Sequence, residues 1–374
     1  MFNKKKWDGL IPDDLLNAPA LDLNLIGPTV PSIPSFTLPT GPTETTGDTG
    51  PTGPSGGPPE PTEPTRDTGP TRNTGPTGLL STNRIYVSNI GNNDISVING
   101  TTNTRIVTIP VGFGPRGIGI NTSTNQIYVA NGNSNSVSVI DGLTNSVITT
   151  IPVGTLPTVV GINISTNLIY VVNALTNNVS VINGATNTVI TTISVGIFPQ
   201  GVGVNPLTNR IYVTNFSNNN ISVINGITNT VITTISVGIG PEQIGINPLT
   251  NQIYVTNSGS NNVSVIDGGT NTVVTTISVG NSPIFLGVNT STNLIYVVNA
   301  FTNNVSVISG ATNTVITTII VGNSPKGIGI NPLTNRIYAA NFESNNISLI
   351  NGITNTVITT IPGFLAPFGV GVNP

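Results

Sequence analysis

Tyrosine occurs seven times in this 374-residue chain, and each occurrence lies 42 residues after the one before it. The seven residues are Tyr86, Tyr128, Tyr170, Tyr212, Tyr254, Tyr296 and Tyr338. The same interval separates an Asn three positions after each Tyr, a Gly 14 positions after it, a Pro 29 positions after it and a second Gly 33 positions after it. A repeat of this length predicts that each unit is one supersecondary structure, and that neighbouring units stack to bury a shared core.

Each unit contains four short runs of β-branched residues separated by turn residues, whereas helix-favouring residues are too few for helical repeats. In one unit the runs are 203–204, 211–213, 221–224 and 230–235. Four strands in a unit of about 40 to 45 residues are typical of a propeller blade, and rings of four to eight blades are usual. We therefore predict an all-β fold over residues 79–374, a seven-bladed β-propeller with four antiparallel strands per blade.

Two turn sequences recur in the units. Asn225-Gly226 is predicted to take the positive φ angles of a tight reversal between the third and fourth strands. The sequence Asn-Pro-Leu-Thr-Asn at 205–209 is predicted to form a compact polar hairpin between the first and second strands. The recurrent second Gly, such as Gly203, is expected to relieve crowding where seven innermost strands converge.

The first and last units are incomplete in complementary ways. The first unit starts with a second-strand run at 84–87, and no run of first-strand type precedes it. The chain ends with a first-strand run, 369–372, that has no blade of its own. We predict that the C-terminal strand completes the blade begun by residues 84–109, because this pairing would remove two free sheet edges.

The sequence Ile-Tyr-Val-Thr-Asn stands in full at 211–215 and 253–257, and close variants of it occur in the other units. It resembles the YVTN family of propeller repeats, and the resemblance covers the whole of residues 79–374. The resemblance implies the architecture. It does not imply a particular function, because members of one fold family serve diverse roles.

Composition changes sharply near Leu79, which marks a predicted domain boundary. Residues 41–78 read largely as Gly-Pro-Thr-like triplets, a collagen-like pattern. A collagen triple helix needs Gly at every third position, yet residues such as Glu44, Glu60 and Arg66 occupy that slot. We therefore predict a degenerate collagen-like linker that forms a disordered, extended Pro/Gly/Thr-rich stalk, with a trimeric collagen stalk as the alternative.

The segment before these triplets, 21–43, reads LDLNLIGPTVPSIPSFTLPTGPT. It resembles the leader of collagen-like glycoproteins of the exosporium, the outermost layer of certain bacterial spores, and we assign residues 1–40 as such a leader. The resemblance implies attachment to basal-layer proteins of the exosporium, processing near Ala20-Leu21 and glycans on Thr residues of the triplets. The alternative is a disordered Pro-rich linker with chance similarity to that leader.

Composition argues against several classes of function. Cysteine and histidine are absent and Met1 is the only methionine, so soft and imidazole ligands for metals and haem are missing. We expect no cofactor, no metal site and no catalytic residues, since the five acids of the propeller lie in different units. The only basic run is 4–6, which disfavours nucleic acid as a partner. No apolar stretch reaches the length of about 20 residues needed for a membrane span.

One position of the repeat differs in every unit. In a propeller, the turns between the fourth and first strands and between the second and third strands lie on one face, and the other two turns of each unit lie on the opposite face. The sequences of the turns on the second of these faces repeat closely here, whereas those on the first face vary. The residue directly after each recurrent Pro lies on the varied face. We name these seven candidate ligand-binding residues the varied ring: Arg116, Thr158, Gln200, Glu242, Ile284, Lys326 and Phe368. The alternative is sequence drift at a solvated position.

All eight phenylalanines of the propeller are also predicted to lie in loops of the varied face, where exposed aromatic side chains commonly serve binding. The alternative is that the rings fold inward and cap the blade cores. We expect a non-enzymatic structural or adhesion protein of the spore surface that displays the propeller as an interaction module. The alternatives are a soluble ligand-binding or sensor propeller, and a lactonase-like enzyme.

Overall fold

The computed structural model describes residues 83–374, which form a seven-bladed β-propeller of 28 strands in seven four-stranded antiparallel sheets. The first fourteen strands are β1 (Arg84–Asn89), β2 (Asp94–Asn99), β3 (Thr104–Pro110), β4 (Pro115–Asn121), β5 (Gln126–Asn131), β6 (Ser136–Asp141), β7 (Ser146–Pro152), β8 (Pro157–Asn163), β9 (Leu168–Asn173), β10 (Asn178–Asn183), β11 (Thr188–Ser194), β12 (Pro199–Asn205), β13 (Arg210–Asn215) and β14 (Asn220–Asn225). The other fourteen are β15 (Thr230–Ser236), β16 (Pro241–Asn247), β17 (Gln252–Asn257), β18 (Asn262–Asp267), β19 (Thr272–Ser278), β20 (Pro283–Asn289), β21 (Leu294–Asn299), β22 (Asn304–Ser309), β23 (Thr314–Ile320), β24 (Pro325–Asn331), β25 (Arg336–Asn341), β26 (Asn346–Asn351), β27 (Thr356–Pro362) and β28 (Pro367–Asn373). The predicted fold class is confirmed, and the predicted leader, the stalk and the boundary near residue 79 lie outside the described residues.

The ring is closed by the two ends of the described chain. Strand β28 pairs antiparallel with β1, and the strand order of this sheet is β28-β1-β2-β3. The other six blades are each built from four consecutive strands, from β4–β7 to β24–β27. We call the strands of each blade A to D from the centre outward, so that β28 is strand A of blade 1 and β4 is strand A of blade 2.

The burial of each strand follows its place in the blade. Strands B and C, such as β13 and β14, carry four or five consecutive buried residues because both of their faces pack against neighbouring sheets. Strand D, such as β15, is exposed at most of its positions and forms the free outer edge of the blade. Each C–D pair contains a register shift of the kind a β-bulge produces, as between Val223 and Ile224. Bulges of this kind limit edge-to-edge pairing between molecules.

The seven tyrosines lie between blades and are fully buried. Tyr128, for example, packs with Ala130 and Val139 of its own blade and with Ile169 and Val171 of the next blade. The aromatic ring fills the space between two sheets. In five of the tyrosines the hydroxyl donates a hydrogen bond to Oδ1 of an Asn in the next blade: Tyr128 to Asn187, Tyr170 to Asn229, Tyr254 to Asn313, Tyr296 to Asn355, and Tyr338 to Asn103. The tyrosines therefore serve inter-blade packing.

A closed belt of asparagine side chains also links the blades. The Asn at the end of each strand A donates from Nδ2 to Oδ1 of the Asn that directly precedes strand B of the next blade, at 2.7 to 3.0 Å. The pairs are Asn121 and Asn167, Asn163 and Asn209, Asn205 and Asn251, Asn247 and Asn293, Asn289 and Asn335, Asn331 and Asn83, and Asn373 and Asn125. The two pairs at the junction between the chain ends, Asn331 with Asn83 and Asn373 with Asn125, form the same kind of amide hydrogen bond as the other five pairs.

The C–D hairpins differ from the prediction. Gly226 does not have a positive φ; the left-handed residue is Asn229, with φ 54°. Asn225 instead accepts backbone hydrogen bonds at Oδ1 from Ile227 and Thr228, at 2.8 and 3.4 Å, which forms an Asx turn. The prediction of a tight Asn-Gly reversal was wrong because four residues, 226–229, separate the paired residues Asn225 and Thr230. Gly226 is needed because a Cβ there would overlap Oδ1 of Asn209.

The recurrent Gly of strand A faces the next strand A around the ring. A Cβ at Gly203 would lie 2.5 Å from Cγ2 of Ile244, and a Cβ at Gly119 would lie 2.8 Å from Cγ1 of Val160. Both distances are shorter than a van der Waals contact allows. The predicted role of this Gly, relief of crowding where the inner strands converge, is confirmed.

Candidate functional site

The seven residues of the varied ring meet at one place. Each is the second residue of a strand A, and the recurrent Pro before it is the first, a strand position that tolerates the missing N–H. Together they line a cavity of about 200 Å³ at the centre of the varied face. Residues 42 positions apart in sequence are thus brought together because the seven A strands converge on the axis of the ring.

The order of the blades determines which side chains are neighbours. Strand β28 contacts β24 on one side and β4 on the other, so Lys326, Phe368 and Arg116 follow one another around the ring. Strand β12 contacts β16, which makes Gln200 and Glu242 neighbours. In a ring of seven, the position opposite Phe368 falls between Gln200 and Glu242. The cavity therefore has a cationic arc facing an arc of amide and carboxyl groups.

Glu242 is the single carboxylate among the residues that line this cavity. Its Oε1 accepts a hydrogen bond of 3.2 Å from the hydroxyl of Ser258, and the side chain is half-buried. Burial raises the pKa of Glu242 to about 7, and the opposing effects of Ser258 and of the Lys326 charge do not offset it. The carboxyl therefore changes its protonation state near neutral pH.

The two cations of the cavity lie close to aromatic rings. The Arg116 guanidinium carbon is 5.6 Å from the centroid of Phe368, and Nζ of Lys326 is 6.0 Å from the centroid of Phe342. Burial lowers the pKa of both side chains. The charges of Lys326 and Glu242 influence each other's pKa, yet no ion pair joins these two described residues. Opposite charges thus share one cavity without direct contact.

Hydroxyl groups of the B strands hold the backbone of two charged positions. The hydroxyl of Thr214 donates to the carbonyl of Glu242 in the next blade at 2.8 Å, and it accepts from the amide of Gly201 at 2.7 Å. Ser88 donates to the carbonyl of Arg116 in the same way, at 2.6 Å. These bonds tie neighbouring A strands together and keep the rim of the cavity rigid.

Three further residues line the cavity: Val159 and Gln243, which sequence reasoning missed, and Phe285, which it placed only among the phenylalanines of the varied face. They follow directly after members of the varied ring, at a position that Gly occupies in the other four units. The interruption of that recurrent Gly was the signal that could have found them. Gln243 is only 8% exposed, and its Oε1 has no hydrogen-bond partner.

Some phenylalanines of the propeller are exposed on the varied face and others are buried, so each of the two interpretations given above holds for part of them. Phe285 and Phe368 lie within strands β20 and β28, so the prediction that all eight lie in loops was wrong for these two. Phe364 is buried in the core, with 6% exposure, whereas Phe113 and Phe301 are 66% and 78% exposed. Some rings therefore cap the blades, while others are presented on the varied face.

The residues that the structure describes contain no cluster of three or more His, Cys, Asp or Glu side chains that could hold a metal ion. A search of the same residues for a helix long and apolar enough to cross a membrane found none. The single helical segment within residues 83–374 is a 3-10 turn at Phe216–Asn218.

Solved structures of similar shape are enzymes as well as a protein of unknown function. The likeness is one of fold. Hydrazine synthase from Kuenenia stuttgartiensis superposes with a TM-score of 0.62 at 20% identity, covering 70% of this chain and 90% of that chain. A functionally unknown protein from Desulfotomaculum acetoxidans has a TM-score of 0.69 at 16% identity, covering 77% and 98%. The dihydro-heme d1 dehydrogenase NirN, in complex with DHE, has a TM-score of 0.59 at 11% identity, covering 78% and 75%.

At these identities the likeness carries the propeller architecture and no activity. No family model matches the chain, and no curated protein matches it.

Proposed function

We propose that this protein is a non-enzymatic binding module of the bacterial spore surface. A propeller of YVTN type presents its varied face to a partner, and the N-terminal leader attaches the protein to basal-layer proteins of the exosporium. The observation that carries the proposal is the convergence of seven different residues on one cavity, in a scaffold whose A–B and C–D turns on the opposite face repeat closely. Demands of the scaffold explain the repeated positions but not the variation at this one.

The chemistry of the cavity favours binding over catalysis. Glu242 is its only carboxylate, so it lacks the pair of carboxyl groups that many hydrolases use. The hydroxyl of Thr158 donates to the carbonyl of Gln200 at 2.9 Å and has no histidine or lysine base beside it. What the cavity does offer is a mixture of cationic, amide and apolar groups, which is typical of a small-molecule site.

The exposed aromatic side chains support a role in adhesion. Phe301 and Ile239 line a wider hollow of about 770 Å³ on the varied face, together with Phe216. Both Phe301 and Ile239 are mostly exposed. Exposed apolar side chains grouped on a rigid scaffold are typical of a protein interaction surface.

The spore-surface location rests on the resemblance of residues 21–43 to exosporium leaders. Fusion of residues 1–43 to a fluorescent protein should place fluorescence on the spore surface, because this segment would be recognised by basal-layer proteins. The measurement is fluorescence microscopy of sporulating cells, with residues 44–78 fused to the same reporter as the control. Diffuse fluorescence in the mother cell with dark spores would contradict the location.

A triple variant tests the binding role of the varied ring. Replacement of Arg116, Glu242 and Lys326 by Ser should abolish most binding of the propeller, residues 79–374 without the leader, to spore-surface material. The fold should survive, because changes away from caps and cores usually alter the free energy of unfolding by no more than about 0.5 kcal/mol each. Binding is measured by a pull-down with isolated exosporium, and circular dichroism checks the fold.

The matched control replaces three cations beside the A–B turns of the opposite face by Ser: Arg84, Arg210 and Arg336. This variant should bind like the wild type. If the two triple variants bind equally well, the varied ring does not bind the partner. A soluble ligand-binding or sensor propeller is the alternative that the cavity also favours; it predicts a failed leader fusion together with no binding of the wild-type propeller to isolated exosporium.

A further inference from the structure

The chemistry of the cavity specifies a class of ligand, an inference that rests on the proposed function. Ligand pockets for drug-sized molecules are commonly 300 to 1,000 Å³, about 1.5 to 5 times the size of this one. The central cavity, at about 200 Å³, therefore suits a small molecule and not an oligosaccharide or a peptide. Its two sides differ in charge, so the ligand should carry both a negative and a positive group.

The cationic arc calls for an anion. Arg116 and Lys326 flank Phe368 on one side of the ring, and neither forms an ion pair with a described residue. Nε of Arg116 is buried without a hydrogen-bond partner. A guanidinium and an ammonium group are the side chains that proteins use most to bind a carboxylate.

The opposite arc calls for a hydrogen-bond donor. Gln243 also lines the cavity, but its Oε1 is buried beside Gly201 and is not exposed to the cavity. Glu242 lies next to it in the chain and has only the hydroxyl of Ser258 as a donor to its carboxyl group. A cationic group placed here would give the carboxyl group of Glu242 a further donor.

The remaining surface of the cavity is apolar. Ile284 and Phe285 lie on the blade between Glu242 and Lys326, and Val159 lies on the blade beside Arg116. This apolar surface lies between the cationic arc and the acidic arc. It would accommodate an aliphatic side chain on a ligand whose charged groups bind the two arcs.

We propose that the central cavity binds a small zwitterion, an α-amino acid with an aliphatic side chain. Its carboxylate contacts Arg116 and Lys326, and its ammonium group donates to the carboxylate of Glu242. The ligand thereby bridges opposite charges that do not reach each other in the free protein.

The test is calorimetric binding of three probes to the full chain at pH 8. The probes are L-leucine, 4-methylpentanoate, which lacks the amino group, and 3-methylbutylamine, which lacks the carboxylate. Leucine should bind about tenfold or more tightly than either analogue, since each loses one charged contact. If 4-methylpentanoate binds as tightly as leucine, the zwitterion inference is wrong, while the role of the cavity in binding stands.

Two variants assign the contacts by a thermodynamic cycle. Glu242→Gln should weaken leucine binding about tenfold and leave the binding of 4-methylpentanoate unchanged. Lys326→Met should weaken both carboxylates and leave 3-methylbutylamine unchanged. The control is Glu343→Gln, an exposed residue outside the cavity. Equal losses for leucine and 4-methylpentanoate in Glu242→Gln would overturn the placement of the ammonium group.

Failure of this inference can be separated from failure of the proposed function. If none of the three probes binds at millimolar concentration, the zwitterion inference is overturned. The binding role of the varied face is judged separately, by the loss of spore-surface binding in the Arg116, Glu242 and Lys326 triple variant.

Discussion

Glu242 shows how strongly a single residue of this repeat depends on its surroundings. Six other residue types occupy the same position in the other units. The carboxyl group of Glu242 is largely buried, and it is influenced by the charge of Lys326 without contacting it. Ser258 is its hydrogen-bond donor and Lys326 is the charge that acts on its pKa; Arg116 is the other cation of the cavity. The raised pKa has a consequence for stability.

Glu242→Gln should increase the free energy of unfolding at pH 8 and leave it almost unchanged at pH 5. In the unfolded chain the carboxyl group has its ordinary pKa of 4.5, whereas in the folded chain burial raises the pKa to about 7. Between these values the unfolded state has lost the proton that the folded state still holds, so the wild type loses stability as pH rises through this window. Glutamine does not titrate, and the gain at pH 8 should be roughly 1 to 3 kcal/mol.

Denaturant unfolding at pH 5 and pH 8 measures this effect, and the exposed residue Glu343 provides the control variant Glu343→Gln. The control should track the wild type at both pH values. A difference between Glu242→Gln and wild type that is the same at pH 5 and pH 8 would show that the Glu242 carboxyl titrates with an ordinary pKa.

At the scale of the element, the C–D hairpin is the feature that the sequence pattern described least well. Its first residue, Asn or Asp in six units and Ser309 in the seventh, starts the turn, and in the unit 267–271 the carboxylate of Asp267 accepts from the amides of Gly269 and Thr270. The second residue packs against the A–B turn of its own blade. The third residue points away from the protein, which explains why this position tolerates Ile, Leu, Ala, Thr and Gly.

Two adjacent glycines of one hairpin test this description. Gly268→Ala should destabilise the fold by about 1 to 3 kcal/mol, because the new Cβ would overlap Oδ1 of Asn251 and disturb its bond from Asn205 of the neighbouring blade. Gly269→Ala should stay within about 0.5 kcal/mol of wild type, since its Cβ would lie 3.1 Å from Oδ1 of Asp267 and 4.0 Å from Nδ2 of Asn251 and would overlap neither atom. Thermal melts of both variants measure the difference. Equal melting temperatures would contradict the assigned contact.

At the scale of the whole molecule, one non-covalent junction holds the ring together. Strand β28 supplies the inner strand of blade 1, contacts both neighbouring A strands and brings Asn373 into the asparagine belt through Asn125. Phe364, just before it, packs into the core with Tyr338 and Ile347 of blade 7. The C-terminal segment thus joins three blades.

Deletion of residues 364–374 should lower the melting temperature far more than a change to one blade, because it exposes the edge of β1 and removes one A strand from the ring. Each buried backbone group left without a partner costs on the order of 1 to 3 kcal/mol. Calorimetry of the truncated chain measures the loss, and addition of a peptide of residues 364–374 should restore part of it.

The control for the deletion is Phe368→Ser, which alters the cavity but retains the strand. It should melt close to the wild type. If the truncated and the intact chains melt at the same temperature, β28 does not hold the ring closed.

The repeat by itself determined the number of blades, their four strands, the inter-blade place of the tyrosines and the position of the varied ring. These properties depend on the pattern within a 42-residue unit, and the pattern occurs seven times in the sequence. The sequence could not show that Asn229, and not Gly226, takes the left-handed conformation, because the choice depends on contact with Asn209 of another turn.

Only the tertiary structure decided the character of the cavity. Gln243 and Phe285 line it because they have side chains at a position that Gly occupies in four other units, and strand convergence brings that position to the rim of the cavity. The charge of Glu242 depends on burial and on Lys326, which lies 84 residues away in sequence and two blades away in the ring. Burial and charge at this site arise from seven strands meeting at one axis, and no single unit contains that information.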